Sequence, residues 1–365
     1  MAKYIYQYGN WTDFVWDEFK INALFGEVKL VQGKLTGKIQ LLGFNSKEEK
    51  TLETLTLDIL KSSEIEGERL NYEQVRSSIA RHLGINMAGL VPSARNVDGV
   101  VEMMLDATQN YRKPLDDKRL FGWHAALFPT GYSGPYKIEV AKYRGGEMQV
   151  VSGAIGKEKV HYEAIPAKDV KNEMDKFLQW LNKDGLDNVL KAAIAHLWFV
   201  IIHPFDDGNG RIARAISDML LARSENCPER FYSLSNQIHT EKKRYYEILK
   251  EVQHREKNIT LWLSWFLNCL KNALLETERS LQNILLKADF WERHKDTQIN
   301  ERQRIIINRL FDGLFGNLTS QKWAKITKTS SDTALRDIKD LIGKGILTQS
   351  EAGGRSTNYE LKIFG

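Results

Sequence analysis

Between His203 and Arg214 the chain reads HPFDDGNGRIAR: a histidine, two aspartates, two glycines around an asparagine, and two arginines three residues apart. A segment chosen for packing alone would rarely place so many polar and glycine positions directly after the apolar run NVLKAAIAHLWFVII. Gly208, Asn209 and Gly210 at a helix start would expose successive backbone N–H groups, an arrangement that cradles phosphate oxygens and adds the helix dipole. Arg211 and Arg214 would then lie one turn apart on one helix face, where two guanidinium forks can hold a polyphosphate. A carboxylate in such a loop is a natural Mg2+ ligand, because that ion prefers a carboxylate together with phosphate oxygens and water. His203, at the end of the apolar helix, suits a general base for an attacking hydroxyl. Upstream, SSEIEGERL sets Ser62 and Glu66 one helical turn apart and follows them with Gly67, as a helix face closed by a glycine cap would be.

The loop resembles the signature of the Fic (Fido) family, His-Pro-Phe-x-Asp/Glu-Gly-Asn-Gly-Arg-x-x-Arg, with His203, Pro204, Phe205, Asp207, Gly208, Asn209, Gly210, Arg211 and Arg214 all matching. The resemblance implies transfer of AMP from ATP to a Ser, Thr or Tyr hydroxyl of a target protein, with release of pyrophosphate. It implies roles as well: His203 as the base, Asp207 as the Mg2+ ligand, Gly208 to Arg211 as the nucleotide-binding loop continued by Ile212 and Ala213, and Arg214 on the γ-phosphate. EMQVVSGAIGKEKVHYEAIP is similar to the family's flap, whose edge (Val150, Val151, Ser152) would pair with an extended target segment. KKRYYEILK is similar to the helix that walls the nucleobase, with Tyr245 and Tyr246 available to stack on adenine. Ser62, Glu66 and Gly67 resemble the family's inhibitory motif, Ser/Thr-x-x-x-Glu-Gly/Asn, in the subclass that carries it N-terminal to the catalytic domain. There Glu66 would deny Arg214 to the γ-phosphate, one carboxylate competing with a phosphate for one guanidinium, while Ser62 acts by holding the helix. His124, His161 and His196 read as packing or hydrogen-bonding residues.

These groups need a frame, and the spacing of apolar residues makes it mainly α. Two or three helices are predicted from Trp11 to about Leu83, with more up to the PTGYSGPY turn cluster. One β-hairpin follows, then the buried helix that delivers the loop, and further helices up to a long Trp-rich one. From Arg302 the pattern resets to three helices and two strands around Gly-Gly-Arg-Ser, the order of a winged helix-turn-helix. The expected organisation is a helical extension with the inhibitory motif (1–90), a helical Fic domain with a small hairpin flap (91–285), and a linker helix with a winged helix (286–365).

The 365 residues, 42% hydrophobic and 27% charged with seven prolines, predict a folded, helix-rich chain. Two cysteines are too few for a disulfide framework or a thiolate metal site. No stretch suits a secretory signal or a membrane span, which predicts a cytoplasmic protein without a membrane partner. Of the net charge of +5, the last 66 residues contribute +4, from eleven Lys/Arg against seven Asp/Glu. That excess permits a DNA or protein partner for the tail, although Arg336 and Lys339 stand among Asp332, Asp337 and Asp340. The sequence thus predicts an autoinhibited protein adenylyltransferase using ATP and Mg2+, with self-modification and homo-oligomer formation left open. The competing readings are a nucleotide-sensing DNA-binding regulator, and a Fic enzyme that removes AMP or transfers another phosphate-containing group.

Overall fold

The computed structural model describes residues 3–40, 44–152, 159–311, 314, 317–349 and 357–362. The chain is mostly helical and divides into two compact units, Met1–Thr277 and Glu278–Gly365.

The first unit opens with α1 (Glu18–Gln40), α2 (Phe44–Ile65), α3 (Tyr72–Leu83), α4 (Arg95–Gln109) and α5 (Asp117–Leu127). Helix α1 begins seven residues later than the apolar spacing from Trp11 suggests. Tertiary contacts override the local pattern there: Trp11 is buried, donates to Glu173 (3.1 Å) and packs edge-on to Trp198. Val15 meanwhile forms a parallel bridge with Asn258. Helices α4 and α5 cross so closely that a Cβ at Gly99 would lie 1.8 Å from the Ala126 carbonyl oxygen.

The predicted turn cluster holds a small antiparallel pair, β1 (Tyr132–Ser133) and β2 (Tyr136–Lys137), which the sequence reading did not separate from a turn. The expected hairpin is β3 (Gln149–Ser152) against β4 (Lys159–Glu163), with a bulge between Val150 and Val151. Its connecting residues, 153–158, lie outside the described residues.

Helices α6 (Val170–Asn182), α7 (Asn188–Ile202), α8 (Asn209–Glu225), α9 (Leu234–Thr240) and α10 (Lys242–Gln253) follow, then α11 (Thr260–Arg293). Asp187 caps α7 through the Val189 N–H (2.8 Å), and from Val189 to Ile202 every residue of α7 is buried. That central helix packs along α8, which is buried from Arg211 to Ala222, so the loop joining the two helices is fixed at both ends by the core.

The second unit contains α12 (Glu301–Phe311), α13 (Ser320–Thr327), α14 (Ser331–Gly343) and the antiparallel pair β5 (Leu347–Gln349) and β6 (Tyr359–Leu361). Ile306, Ile307, Trp323, Ile338, Leu341 and Tyr359 form its core. The Gly-Gly-Arg-Ser turn predicted between the strands falls outside the described residues. Asp337, read from sequence as a charge opposing DNA, is instead buried and held by Arg302 (2.7 Å) and Asn300 (2.9 Å). Asp340 likewise accepts from Gln303 (2.7 Å). Two of the three acids expected to oppose Arg336 and Lys339 are therefore bound within the unit.

Candidate active site

Helix α7 ends because His203 turns left-handed, at φ 51° and ψ 60°, with its N–H still bonded to the Phe199 carbonyl (2.9 Å). Gly208, at φ 82°, then opens α8 without a side-chain cap, so the first-turn N–H groups of α8 face the loop's concave side unclaimed by a capping residue. The loop between is self-braced. Asn209 closes it by accepting from the Phe205 N–H (3.0 Å) and donating to the Phe205 carbonyl (2.8 Å). The His124 ring stacks on Phe205 (centroids 4.2 Å apart), donates to the Asp207 carbonyl (3.2 Å) and accepts from the Ala141 N–H (3.1 Å). The Asp207 carboxylate accepts from the Ser133 hydroxyl on β1 and from the Gly208 N–H. Burial lowers the pKa of His203 to about 4, so the ring is neutral near pH 7 and able to accept a proton.

The last turn of α2 meets this loop. Gly67, at φ 85°, ends the helix and lets the Glu68 N–H return to the Ser63 carbonyl (3.0 Å). Two carboxylates flanking the glycine thereby reach the two arginines of α8. Arg214, 1% exposed, donates to Glu66 Oε1 (2.8 Å), Ser62 Oγ (2.8 Å) and the Ser62 carbonyl (2.8 Å). Burial opposes its charge, but Glu66 offsets this, and the Arg214 pKa is raised. Arg211 donates to Glu68 Oε2 (2.6 Å) and lies over the Phe128 ring. Helix α10 holds the arm in place, with Tyr246 donating to the Ile65 carbonyl (3.3 Å) and Lys242 to the Glu64 carbonyl (3.3 Å).

Glu66 borders two cavities. One, of about 500 Å3, is lined by His203, Gly210, Val150, Tyr245, Tyr246 and Gln253 among others. The other, of about 650 Å3, has Asp207, Arg211, Glu68, Ser133 and Phe128 in its wall. A Cβ at Gly210 would lie 2.1 Å from Glu66 Oε1, so the carboxylate rests against the backbone of α8's first turn, where an anion would lie. Arg211 Nε and Arg214 Nη1 are buried without hydrogen-bond partners, two donors that the Glu66 and Glu68 carboxylates leave unsatisfied. Among the described residues no cluster of three or more His, Cys, Asp or Glu could hold a metal alone. A lone carboxylate such as Asp207 fits Mg2+ only where phosphate oxygens and water complete the ion's shell.

Residues 114–221 match the profile of the Fic/DOC family. The chain carries a Fic/DOC family domain. Residues 4–85, which include the Glu66 arm, match a domain of unknown function (DUF4172). Protein adenylyltransferase fic-1 of Caenorhabditis briggsae is 32% identical over 82 residues, covering 22% of this chain and 15% of that protein. Protein adenylyltransferase Fic of Nematostella vectensis is 32% identical over 129 residues, covering 34% and 26%. The chain thus spans roughly a quarter or less of these relatives' length. A Fic family protein from Desulfovibrio desulfuricans G20 shares the fold, with a TM-score of 0.52 at 20% identity over 95% of this chain and 97% of that one. No helix among the described residues is long and apolar enough to cross a membrane.

Within the Fic domain, His203, Asp207, Gly208, Gly210, Arg211 and Arg214 come together as one loop, with Ser62 and Glu66 against them. The side chains of Ile212 and Ala213 are wholly buried in the core, so only their backbone belongs to the loop. The Asn209 amide is used up in bracing the loop, which leaves its backbone N–H for a ligand. Tyr245 borders the cavity but is 2% exposed, and its hydroxyl bonds His196 (3.0 Å), whose other nitrogen bonds Ser217. It is therefore a wall tied into the core, and Tyr246, in the same cavity wall, is 42% exposed. Ser62, expected only to hold the helix, also touches Arg214 directly. Val150 reaches the cavity, while Val151 and Ser152 are placed as β3 backbone. Glu68, Ser133 and Lys242 went unread in the sequence. Glu68 had a signal, since it stands two residues after Glu66 just as two arginines wait on α8.

Proposed function

We propose that the chain is a protein adenylyltransferase that its own α2 arm holds in check. The observation carrying this reading is the Glu66 carboxylate on Arg214, set against Gly210 in the cavity that also holds the neutral His203. The naming of the relatives above as protein adenylyltransferases supports it.

In this reading the ATP phosphates replace the two carboxylates. Arg214 takes the γ-phosphate, and Arg211 with the first-turn N–H groups of α8 takes the others. Tyr246 lies against the adenine. Asp207, oriented by Ser133, would hold Mg2+ together with phosphate oxygens, and the ion would offset their negative charge. A target segment pairs with an edge of the β3–β4 hairpin and presents a hydroxyl to His203. His203 accepts the hydroxyl proton, the freed oxygen bonds to the α-phosphorus, and the bond from that phosphorus to the β-phosphate oxygen breaks. The products are an AMP-modified side chain and pyrophosphate. Release of the arm is the condition for turnover, since Arg214 cannot serve Glu66 and a γ-phosphate together. The second unit, three helices and a strand pair, belongs in this reading to a winged helix that docks a partner.

The test is Mg2+-dependent incorporation of label from ATP labelled at the α-phosphate, into the protein or into lysate proteins, by wild type, Glu66→Gly and His203→Ala. Strong incorporation by Glu66→Gly, none from γ-labelled ATP and incorporation lowered about 10²–10⁴-fold by His203→Ala are expected. Absence of α-label incorporation by folded, ATP-binding Glu66→Gly would overturn the proposal.

A further inference from the structure

Arg144 has no place in the reaction described above, yet it is 2% exposed and cationic. Its guanidinium meets backbone carbonyls. Nε donates to His203 (2.8 Å), Nη1 to Gly146 (2.8 Å), and Nη2 to Ile165 and, more weakly, to Ile202 (3.4 Å). Its own N–H donates to the Pro204 carbonyl (2.9 Å). A buried cation held without a carboxylate is costly, and the compensation here is position. The carbonyls of Ile202, His203 and Pro204 are at the C-terminal end of α7, the negative pole of a fully buried helix.

The remaining two acceptors stand at the feet of the hairpin. Gln149 pairs with Glu163, and the Ala164 N–H bonded to the Met148 carbonyl (2.9 Å) carries the ladder one step further. Gly146 and Ile165 flank that last step, so one guanidinium spans both feet and fastens them to His203. A second tie runs parallel to it, from the hydroxyl of the buried Tyr162 on β4 to the Ile201 carbonyl (2.8 Å). His203 needs such support. A left-handed backbone is unfavourable for a residue with a Cβ, and the bonds from its N–H to Phe199 and from Arg144 to its carbonyl hold the residue on either side of its Cα.

We propose that Arg144 is a positioning residue coupling the β3–β4 hairpin to His203, so that a polypeptide seated on the hairpin and the base that acts on it are set by the same side chain. This rests on the proposed roles of His203 and the hairpin. It predicts that loosening the tie harms transfer while leaving nucleotide binding alone, because the two α8 arginines are held elsewhere.

The experiment compares Arg144→Met, Arg144→Lys and Tyr162→Phe in full-length Glu66→Gly protein. The readouts are transfer rate at saturating ATP, ATP affinity, and hydrogen exchange over residues 144–152 and 199–208. Transfer by Arg144→Met should fall about 10- to 100-fold with ATP affinity within about twofold, as for a misplaced reacting group. Exchange should rise in both segments together. Arg144→Lys keeps the charge but gives up the fork, and should fall between Arg144→Met and the parent. Tyr162→Phe, which removes one hydrogen bond, should shift the same readouts least and carries the test with Arg144→Lys if Arg144→Met does not fold. Undiminished transfer, ATP affinity falling in step with transfer, or faster exchange confined to the hairpin would each overturn the coupling. Should Glu66→Gly incorporate no AMP at all, it is the adenylyltransferase reading that fails, and the exchange comparison alone decides for or against the coupling.

Discussion

Arg144 and Arg214 serve the two ends of one loop and are buried to nearly the same degree, but their partners differ in kind. Arg144 bonds only main-chain carbonyls, which are fixed by the fold and cannot leave without unwinding α7 or the hairpin. Arg214 is held by a serine and a carboxylate on the end of a different helix, and that carboxylate is 32% exposed on its own side. In the proposed reading the first is a permanent contact and the second is exchangeable. A phosphate offers Arg214 the same charge-assisted bonds that Glu66 does, whereas nothing a substrate carries could replace four carbonyls, two at the end of α7 and two at the feet of the hairpin. The difference separates what shapes this site from what can regulate it.

The largest test of that contrast lies between the two arginines. His203→Ala should lower AMP transfer by roughly 10²–10⁴ with ATP binding kept, measured by label incorporation beside equilibrium binding, because the base is lost and the arginines remain. Next comes the exchangeable contact. Glu66→Gly should raise incorporation about 10- to 100-fold, from roughly 1.5–3 kcal/mol of charge-assisted bonding returned to the γ-phosphate, and Arg214→Ala in the same chain should cancel the gain. Equal incorporation by wild type and Glu66→Gly would make Arg214 as permanent a contact as Arg144. A graded effect follows from the imidazoles behind the loop. Burial lowers His124 and His203 to about 4 and His196 to about 3, so each is neutral in the folded protein and takes up a proton more readily when unfolded. Their contribution to stability is complete above an unfolded pKa of about 6.5 and is lost as pH falls from there toward about 4. Melting temperature measured across that range should fall with pH, and a flat profile would mean that the three rings are not held neutral.

How far the sequence could be read follows the same division. The loop was readable because its groups are consecutive and their types are rare together, from His203 to Arg214. The helices were readable from apolar spacing, except near Trp11, where aromatic spacing mimics a helix that burial against Trp198 and bridging of Val15 to Asn258 prevent. Arg144 was not readable, because a side chain that bonds carbonyls has no partner type to look for. Ser133 was hidden by its distance along the chain from Asp207. The sequence left Tyr245 between cavity and core, because an aromatic next to a cavity and an aromatic in a core have the same pattern, and its hydrogen bond to His196 ties it into the core side of the wall.

Glu68 gives the smallest effect and the finest test of exchangeability. Its bond to Arg211 is as short as that of Glu66 to Arg214 and its side chain about as exposed, but the arginine it meets is less deeply buried, 7% exposed against 1%, and solvent discounts such a pair more. Glu68→Ala should therefore raise incorporation only about two- to fivefold, the return on roughly 0.5–1 kcal/mol. Because Glu66 and Glu68 flank one glycine on one arm, releasing either loosens the other, and the two changes should not add. In the Glu66→Gly chain, Glu68→Ala should add less than it does alone. Glu68→Gln, which keeps a hydrogen-bonding oxygen without the charge, should give a smaller rise than alanine. Incorporation and ATP affinity measured for the two single variants and the double variant complete the cycle. Full additivity would make Arg211 and Arg214 independently guarded, and a fall in incorporation with Glu68→Ala would mean that Glu68 holds Arg211 ready for the phosphates and does not compete with them.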